Sequence, residues 1–269
     1  LSPSSVYTIP LIRPGLFSSF PINRVYLIKG EKNILIDTGH LSQKAHLEKA
    51  LHTIGINTDD ISEIYYTNHS ADTLGNASDF KNALHFSCQH TLTARDNLTA
   101  LLTLIKGDIS ASIFSKLEDF LSIPDLPEIE TISDAGALMF NELEMDVVCL
   151  GARALFLNEE ISFVGEIPMG ALPPLLPDPD ALQRIVNRAQ NLAEGSIYSS
   201  FRAPFHDASW FFKQTQRFFQ AFQQSATLDV SLSRFCENDL GGKPDDDMFW
   251  ALSLLKFASF YLPTQAESL

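Results

Sequence analysis

Tyr65-Tyr66-Thr67-Asn68-His69-Ser70-Ala71-Asp72-Thr73-Leu74-Gly75 is the stretch whose reading decides the fold. Residues 61–66 have the length and apolar character of a buried strand. They run into a loop carrying an amide, an imidazole, hydroxyls and a carboxylate, closed by Gly75. A polar loop delivered by a rigid strand is where a site is expected.

Upstream, residues 25–28 and Asn33–Ile36 read as strands joined by the turn Lys29-Gly30-Glu31-Lys32. Asp37-Thr38-Gly39 then ends the second strand. Residues 40–54 carry Leu41, Ala45, Leu47, Leu51 and Ile54 near helical spacing, with Gly55 as a stop. Downstream, 83–87 is a short strand, and 90–104 and 109–121 are predicted helices split by Gly107. This helical insertion, about 90–125, is placed to lid the site or pad the core. Residues 138–150 are predicted to form strands turning near Asn141-Glu142. Residues 161–164 and Ser196–Ser199 are further strands, with a helix over 180–192. Beyond His206, Trp210, Phe211, Phe212, Phe218, Phe219 and Phe222 cluster on a helix, and 249–262 forms another. Packing in the core or between two copies is the favoured reading of these aromatics. The expected division is a domain over 1–206 and a helical extension over 207–269.

Composition narrows the function classes. The net charge of -14, with no basic run, argues against nucleic acid, which demands clustered Lys and Arg. The most apolar helical segment, 249–262, is shorter than the ~20 residues that span a bilayer. The chain begins at Leu1 without Met, as a processed or trimmed chain would, and shows no charged start followed by an apolar run. Cys88, Cys149 and Cys236 are far apart and odd in number, so no disulfide framework is expected. Cys88 and Cys149 read as inert buried thiols, and a cytoplasmic location is expected from them.

The ordered set Asn23-Arg24-Val25-Tyr26-Leu27-Ile28, Ile34-Leu35-Ile36-Asp37-Thr38-Gly39 and the loop after Tyr66 resembles the opening of the metallo-β-lactamase superfamily. The likeness runs from about Pro21 to His206. Cys149-Leu150-Gly151-Ala152 is similar to the strand that ends in the family's Pro-Gly-His. Val164-Gly165-Glu166 is similar to the strand ending in Gly-Asp, and Arg202-Ala203-Pro204-Phe205-His206 to the segment with the last histidine. The resemblance implies a four-layer αββα sandwich with the helical insertion and C-terminal helices. It also implies metal-assisted hydrolysis by two cations sharing a hydroxide, and it makes Asp37 a structural residue that steadies the ligand loop.

Laid on the family's ligand pattern, the first metal's histidine positions hold Asn68, Ser70 and Ala152. An amide, a hydroxyl and a methyl do not replace three imidazoles. The second site maps to Asp72, Thr73, Glu166 and His206. Of these, Asp72, Glu166 and His206 are the set that could hold a single zinc, manganese or iron ion. Without an ion, Asp72 and Glu166 call for a proton or a base between them, with Arg153, Arg202 and His206 as candidates. His69 falls on the variable position between two former ligands and reads as a neighbour of the cleft. The favoured function is a pseudoenzyme, without a cofactor, that binds a small ligand or a protein partner or pairs with a second copy through its C-terminal helices. The rival is a mononuclear metal-dependent hydrolase.

Overall fold

In the computed structural model, residues 5–12, 22–89, 125–134, 136–150, 153–165, 179–200 and 203–213 are described, with isolated positions at 111, 114, 115, 118, 123 and 216. Two sheets carry the fold. Six strands lie in the order β1-β2-β3-β4-β5-β6: Ser5–Ile12, Ile22–Lys29, Asn33–Ile36, Glu63–Tyr65, Leu84–Cys88 and Ile129–Ile132. Five more lie in the order β11-β10-β9-β8-β7: β7 is Ala137–Phe140, β8 Leu143–Leu150, β9 Arg153–Leu157, β10 Ile161–Gly165 and β11 Ser196–Ser199.

Alternation along the strands builds three apolar layers. On β2, Val25 and Leu27 join Leu47 and Leu51 of α1 (Lys44–Thr53) on the outer face of the first sheet. Leu74, at the end of the one-turn helix α2 (Ala71–Leu74), packs into the same layer. Tyr26 and Ile28 face the other way, into a layer shared with Phe140, Phe156 and Phe163 of the second sheet. On β9, Ala154 and Phe156 belong to that middle layer, whereas Leu155 and Leu157 pack with Val186 and Ala189 of α3 (Pro179–Leu192). The result is helix, sheet, sheet, helix. It is the four-layer αββα arrangement expected above, and strands buried on both faces explain why so many of them read as continuous apolar runs.

Several local expectations hold. β3 and β11 have the predicted limits, and Asn141-Glu142 is a two-residue hairpin turn between Phe140 and Leu143. Asn141 sits at φ 57, a conformation that Asn tolerates and that such turns require. The helix expected over 40–54 opens instead with a 3-10 turn, Leu41–Gln43, because His40 and Gln43 form a reciprocal cap there. β1, with Pro10 inside it, is an addition to the expected strands. It is an edge strand paired with β2 alone, where a missing N–H is tolerated.

The thiols depart from expectation. Cys88 and Cys149 form a disulfide, so the reading of two inert thiols is corrected. Sequence distance hid the pair, since the two residues are 61 apart and meet only because the sheets stack. Cys88 ends β5 in the first sheet and Cys149 lies near the end of β8 in the second. The bond therefore staples the two sheets across the middle layer, and the cytoplasmic expectation loses its footing in free thiols.

Phe211 and Phe212 lie on the far side of the boundary expected after His206, yet both are fully buried in the layer with Val186 and Ala189. Their packing role is as predicted; Trp210 is more exposed and rests its ring near Phe205. Nearly all of the helical insertion, and the segment carrying Phe218, Phe219, Phe222 and 249–262, lie outside the described residues.

The disulfide generates a test. Constraining a loop of this length stabilises by about 4 kcal/mol in the chain-entropy model. Urea unfolding of the Cys149→Ser variant, or of reduced protein, should show a loss of that order, and the denatured, unreduced chain should titrate one thiol.

Candidate functional site

The site end of the molecule is organised around Thr67. Asp37 follows β3 with φ 63 and is buried. Its Oδ1 accepts from Thr67 N at 2.8 Å, and its Oδ2 accepts from Thr67 Oγ1 at 2.7 Å. Asp37 N donates in turn to Tyr65 O at 3.0 Å. The left-handed backbone is one that Asp adopts more readily than most residues, and the two charge-assisted bonds compensate for it. Asp37 steadies the loop as the resemblance implied.

The second sheet closes on the same residue. Ala154 N donates to Thr67 O at 2.9 Å. Gly165 ends β10 at φ 55, and a Cβ there would stand 2.5 Å from Thr67 Oγ1. Only glycine satisfies both the backbone angle and the approach. Ser200 N donates to Gly165 O at 2.9 Å, and Ser200 O accepts from Arg24 N at 2.7 Å. Asn23 Nδ2 donates to Asp72 O at 2.7 Å. These bonds bring β2, the Asn68–Asp72 loop, β10 and the residue after β11 to one mouth.

Within that loop the residues that the resemblance aligns with metal ligands bind one another. Ser70 N donates to Asn68 Oδ1 at 2.6 Å, and Thr73 Oγ1 donates to the same oxygen at 2.9 Å. With its proton so used, Thr73 Oγ1 accepts from Ser70 Oγ at 3.2 Å. Thr73 O accepts from both Thr38 N and Thr38 Oγ1, each at 2.8 Å. All of these residues are buried, as are His69, Asp72 and Arg153. Strand alternation sends Arg153 to the side of Leu155 and Leu157 rather than into the middle layer.

His206 is placed elsewhere. Phe205 bridges back to Ile197, and His206 Nδ1 meets Ser196 Oγ at 2.9 Å in an exposed position. Ser196 begins β11 and Ser200 follows its last residue, about 13 Å away at strand spacing. His206 is thus not beside the mouth that Ser200 and Asp72 share. Ala152, Glu166 and Arg202 lie outside the described residues. Among the described residues no group of three or more His, Cys, Asp or Glu stands together to hold a metal ion. An amide oxygen and two hydroxyls already bonded to one another make a poor donor set for a borderline-soft cation, so the described residues of this loop do not fit the family's metals.

Beneath the loop, sequence reading missed a buried pair. Tyr66 Oη lies 2.8 Å from His85 Nδ1, and His85 Nε2 lies 3.1 Å from Phe80 O. A carbonyl can only accept, so Nε2 carries the proton and Nδ1 accepts from the tyrosine. Burial, and secondarily the Asp37 charge, raises the Tyr66 hydroxyl well above its ordinary range. Burial also lowers the His85 imidazole. Nothing in the one-dimensional spacing of Tyr66 and His85 announces the contact, which arises because β4 and β5 are parallel neighbours.

The architecture matches solved structures. A metallo-β-lactamase family protein from Thermus thermophilus superposes with a TM-score of 0.68 at 17% identity, over 97% of this chain and 94% of that one. A β-lactamase domain protein from Burkholderia ambifaria gives a TM-score of 0.68 at 13% identity, over 98% and 86% of the two chains. A subclass B3 metallo-β-lactamase of Bradyrhizobium japonicum gives 0.56 at 14% identity, over 87% and 93%. No protein-family model matches the sequence, and no curated protein matches it. The chain has the metallo-β-lactamase fold.

Two outcomes are expected. Asp37→Asn presents an N–H2 to one of two Thr67 donors and should cost about 1–3 kcal/mol in urea unfolding. For His85, the folded imidazole titrates below the unfolded value of about 6.5. Its contribution is present above that pH and is lost as pH falls through the folded value. The fall in Tm between about pH 7 and pH 5 should therefore be shallower in His85→Gln than in the parent chain.

Proposed function

We propose that this is a metallo-β-lactamase-fold protein that has lost dinuclear hydrolysis and uses the mouth of the old cleft to bind a small ligand. The observation that carries the reading is the mutual bonding of Asn68, Ser70 and Thr73. In the resemblance these positions point lone pairs at cations; here the Asn68 amide oxygen and the Ser70 and Thr73 hydroxyls are engaged with each other. Three hydrogen bonds among these side chains and the Ser70 amide shape the loop from within. Removing ligands from a metal's first coordination shell commonly abolishes affinity.

The rival is a hydrolase with one ion on Asp72, Glu166 and His206. The place of His206, bonded to Ser196 at the far end of β11, speaks against that set. The remaining role expected of the C-terminal aromatics, a surface for a protein partner or a second copy, loses two of its rings, because Phe211 and Phe212 face inward. No helix among the described residues is long and apolar enough to cross a membrane. The disulfide favours surroundings in which such a bond persists over the reducing cytoplasm first expected.

Elemental analysis of chelator-free protein, before and after incubation with zinc, manganese and iron, tests the reading. The expected result is far less than one ion per chain, with no turnover in an ester, lactone and phosphoester screen. About one tightly held ion per chain that disappears in Asp72→Ala or His206→Ala would restore the hydrolase.

A further inference from the structure

Arg24 Nη1, Asn68 Nδ2 and Ser200 Oγ are buried side-chain atoms that can donate hydrogen bonds and have no partner among the described residues. Asn68 is 2% exposed and Ser200 4%. Leaving one such group unmet costs as much as losing a hydrogen bond, so each calls for a partner. The orientation of the Asn68 amide is settled by its neighbour. Ser70 N can only donate, so the atom it meets at 2.6 Å is the oxygen, and the amide nitrogen is the group left over.

The three donors come from stretches already shown to meet. Arg24 N donates to Ser200 O, Ser200 N donates to Gly165 O, and Gly165 lies against Thr67, the residue before Asn68. Arg24 shares the strand face of Tyr26 and Ile28, whose side chains form the middle layer, so its guanidinium belongs to the space between the sheets. Burial disfavours its charged form, a cost that an anionic partner would relieve. In an acidic chain this is a local positive centre, placed at the rim of the cleft where the resemblance implies cations.

We propose that this mouth is an oxyanion site, in which the Arg24 guanidinium, the Asn68 amide and the Ser200 hydroxyl receive the carboxylate or phosphate group of a small ligand. The proposal rests on the ligand-binding reading above and names its chemistry. A guanidinium presents parallel N–H groups that match two oxygens of either anion. Asp72, in the same loop, repels further negative charge, so a monocarboxylate should seat more readily than a phosphate dianion.

Thermal unfolding of the full chain in acetate, or in inorganic phosphate, against sodium chloride of equal ionic strength is the test. At an anion concentration about tenfold above its Kd, Tm should rise by about 3 °C. Arg24→Gln should weaken binding at least about tenfold and erase the shift, and Ser200→Ala should reduce it. Arg24→Lys, which keeps the charge and loses the fork, serves if the glutamine variant does not fold, and should also bind less tightly. An acetate shift larger than the phosphate shift identifies a carboxylate as the natural group; the reverse identifies a phosphate. The proposal is overturned if neither anion raises Tm, or if the shift is as large in the Arg24 variants as in the parent chain. Either of those results in a metal-free protein leaves the ligand-binding reading standing, whereas uptake of one ion per chain overturns that reading itself.

Discussion

The pair of hydrogen bonds from Thr67 to the Asp37 carboxylate is the constraint on which the site end depends. Asp37 leaves β3 and Thr67 leaves β4, two parallel neighbours. A strand end offers main-chain groups with no ladder partner, and these must be met once they are buried. The carboxylate meets both the amide and the hydroxyl of Thr67, and so fixes the direction in which the loop departs. Thr67 then offers its carbonyl to Ala154 and its side chain to the bare backbone of Gly165. Thr67, just past β4, is thereby tied to the start of β9 and the end of β10.

On the proposed reading, that arrangement lets the fold persist beside altered chemistry. A dinuclear site holds its loop partly by metal bonds, so losing the ligands should loosen the loop unless something replaces them. Asn68, Ser70 and Thr73 replace them with neutral hydrogen bonds, and Thr38 and Asn76 anchor the segment from below. Bonds of this kind are worth about 1 kcal/mol each. They suffice because the loop is already held between the Asp37 clamp and α2.

The Cys88–Cys149 bond supplies the third attachment between the sheets, beside the apolar middle layer and the contacts at Thr67. Its two ends lie on strands that finish near the mouth, so it limits how far the sheets can part there. The mouth is thus built on a stapled frame rather than on a free loop, which suits a binding site whose donors must keep their spacing.

The fold was legible from the sequence alone. The apolar strands, the Asp37-Thr38-Gly39 turn and the loop ending at Gly75 are local patterns, and their order carries the architecture because each element reports its own period and its own punctuation. That Asn68 and Ser70 stand where the resemblance places imidazoles is equally a matter of residue type. Contacts between distant segments were not legible. Cys88 finds Cys149, Tyr66 finds His85, and Arg24 finds Ser200 only after strands have paired and sheets have stacked. His206 meets Ser196 for the same reason: Phe205 bridges antiparallel to Ile197, and a one-residue-at-a-time reading holds no record of that pairing. Sequence determines which groups are available and which element each rides on; only the stacked sheets decide which of them meet.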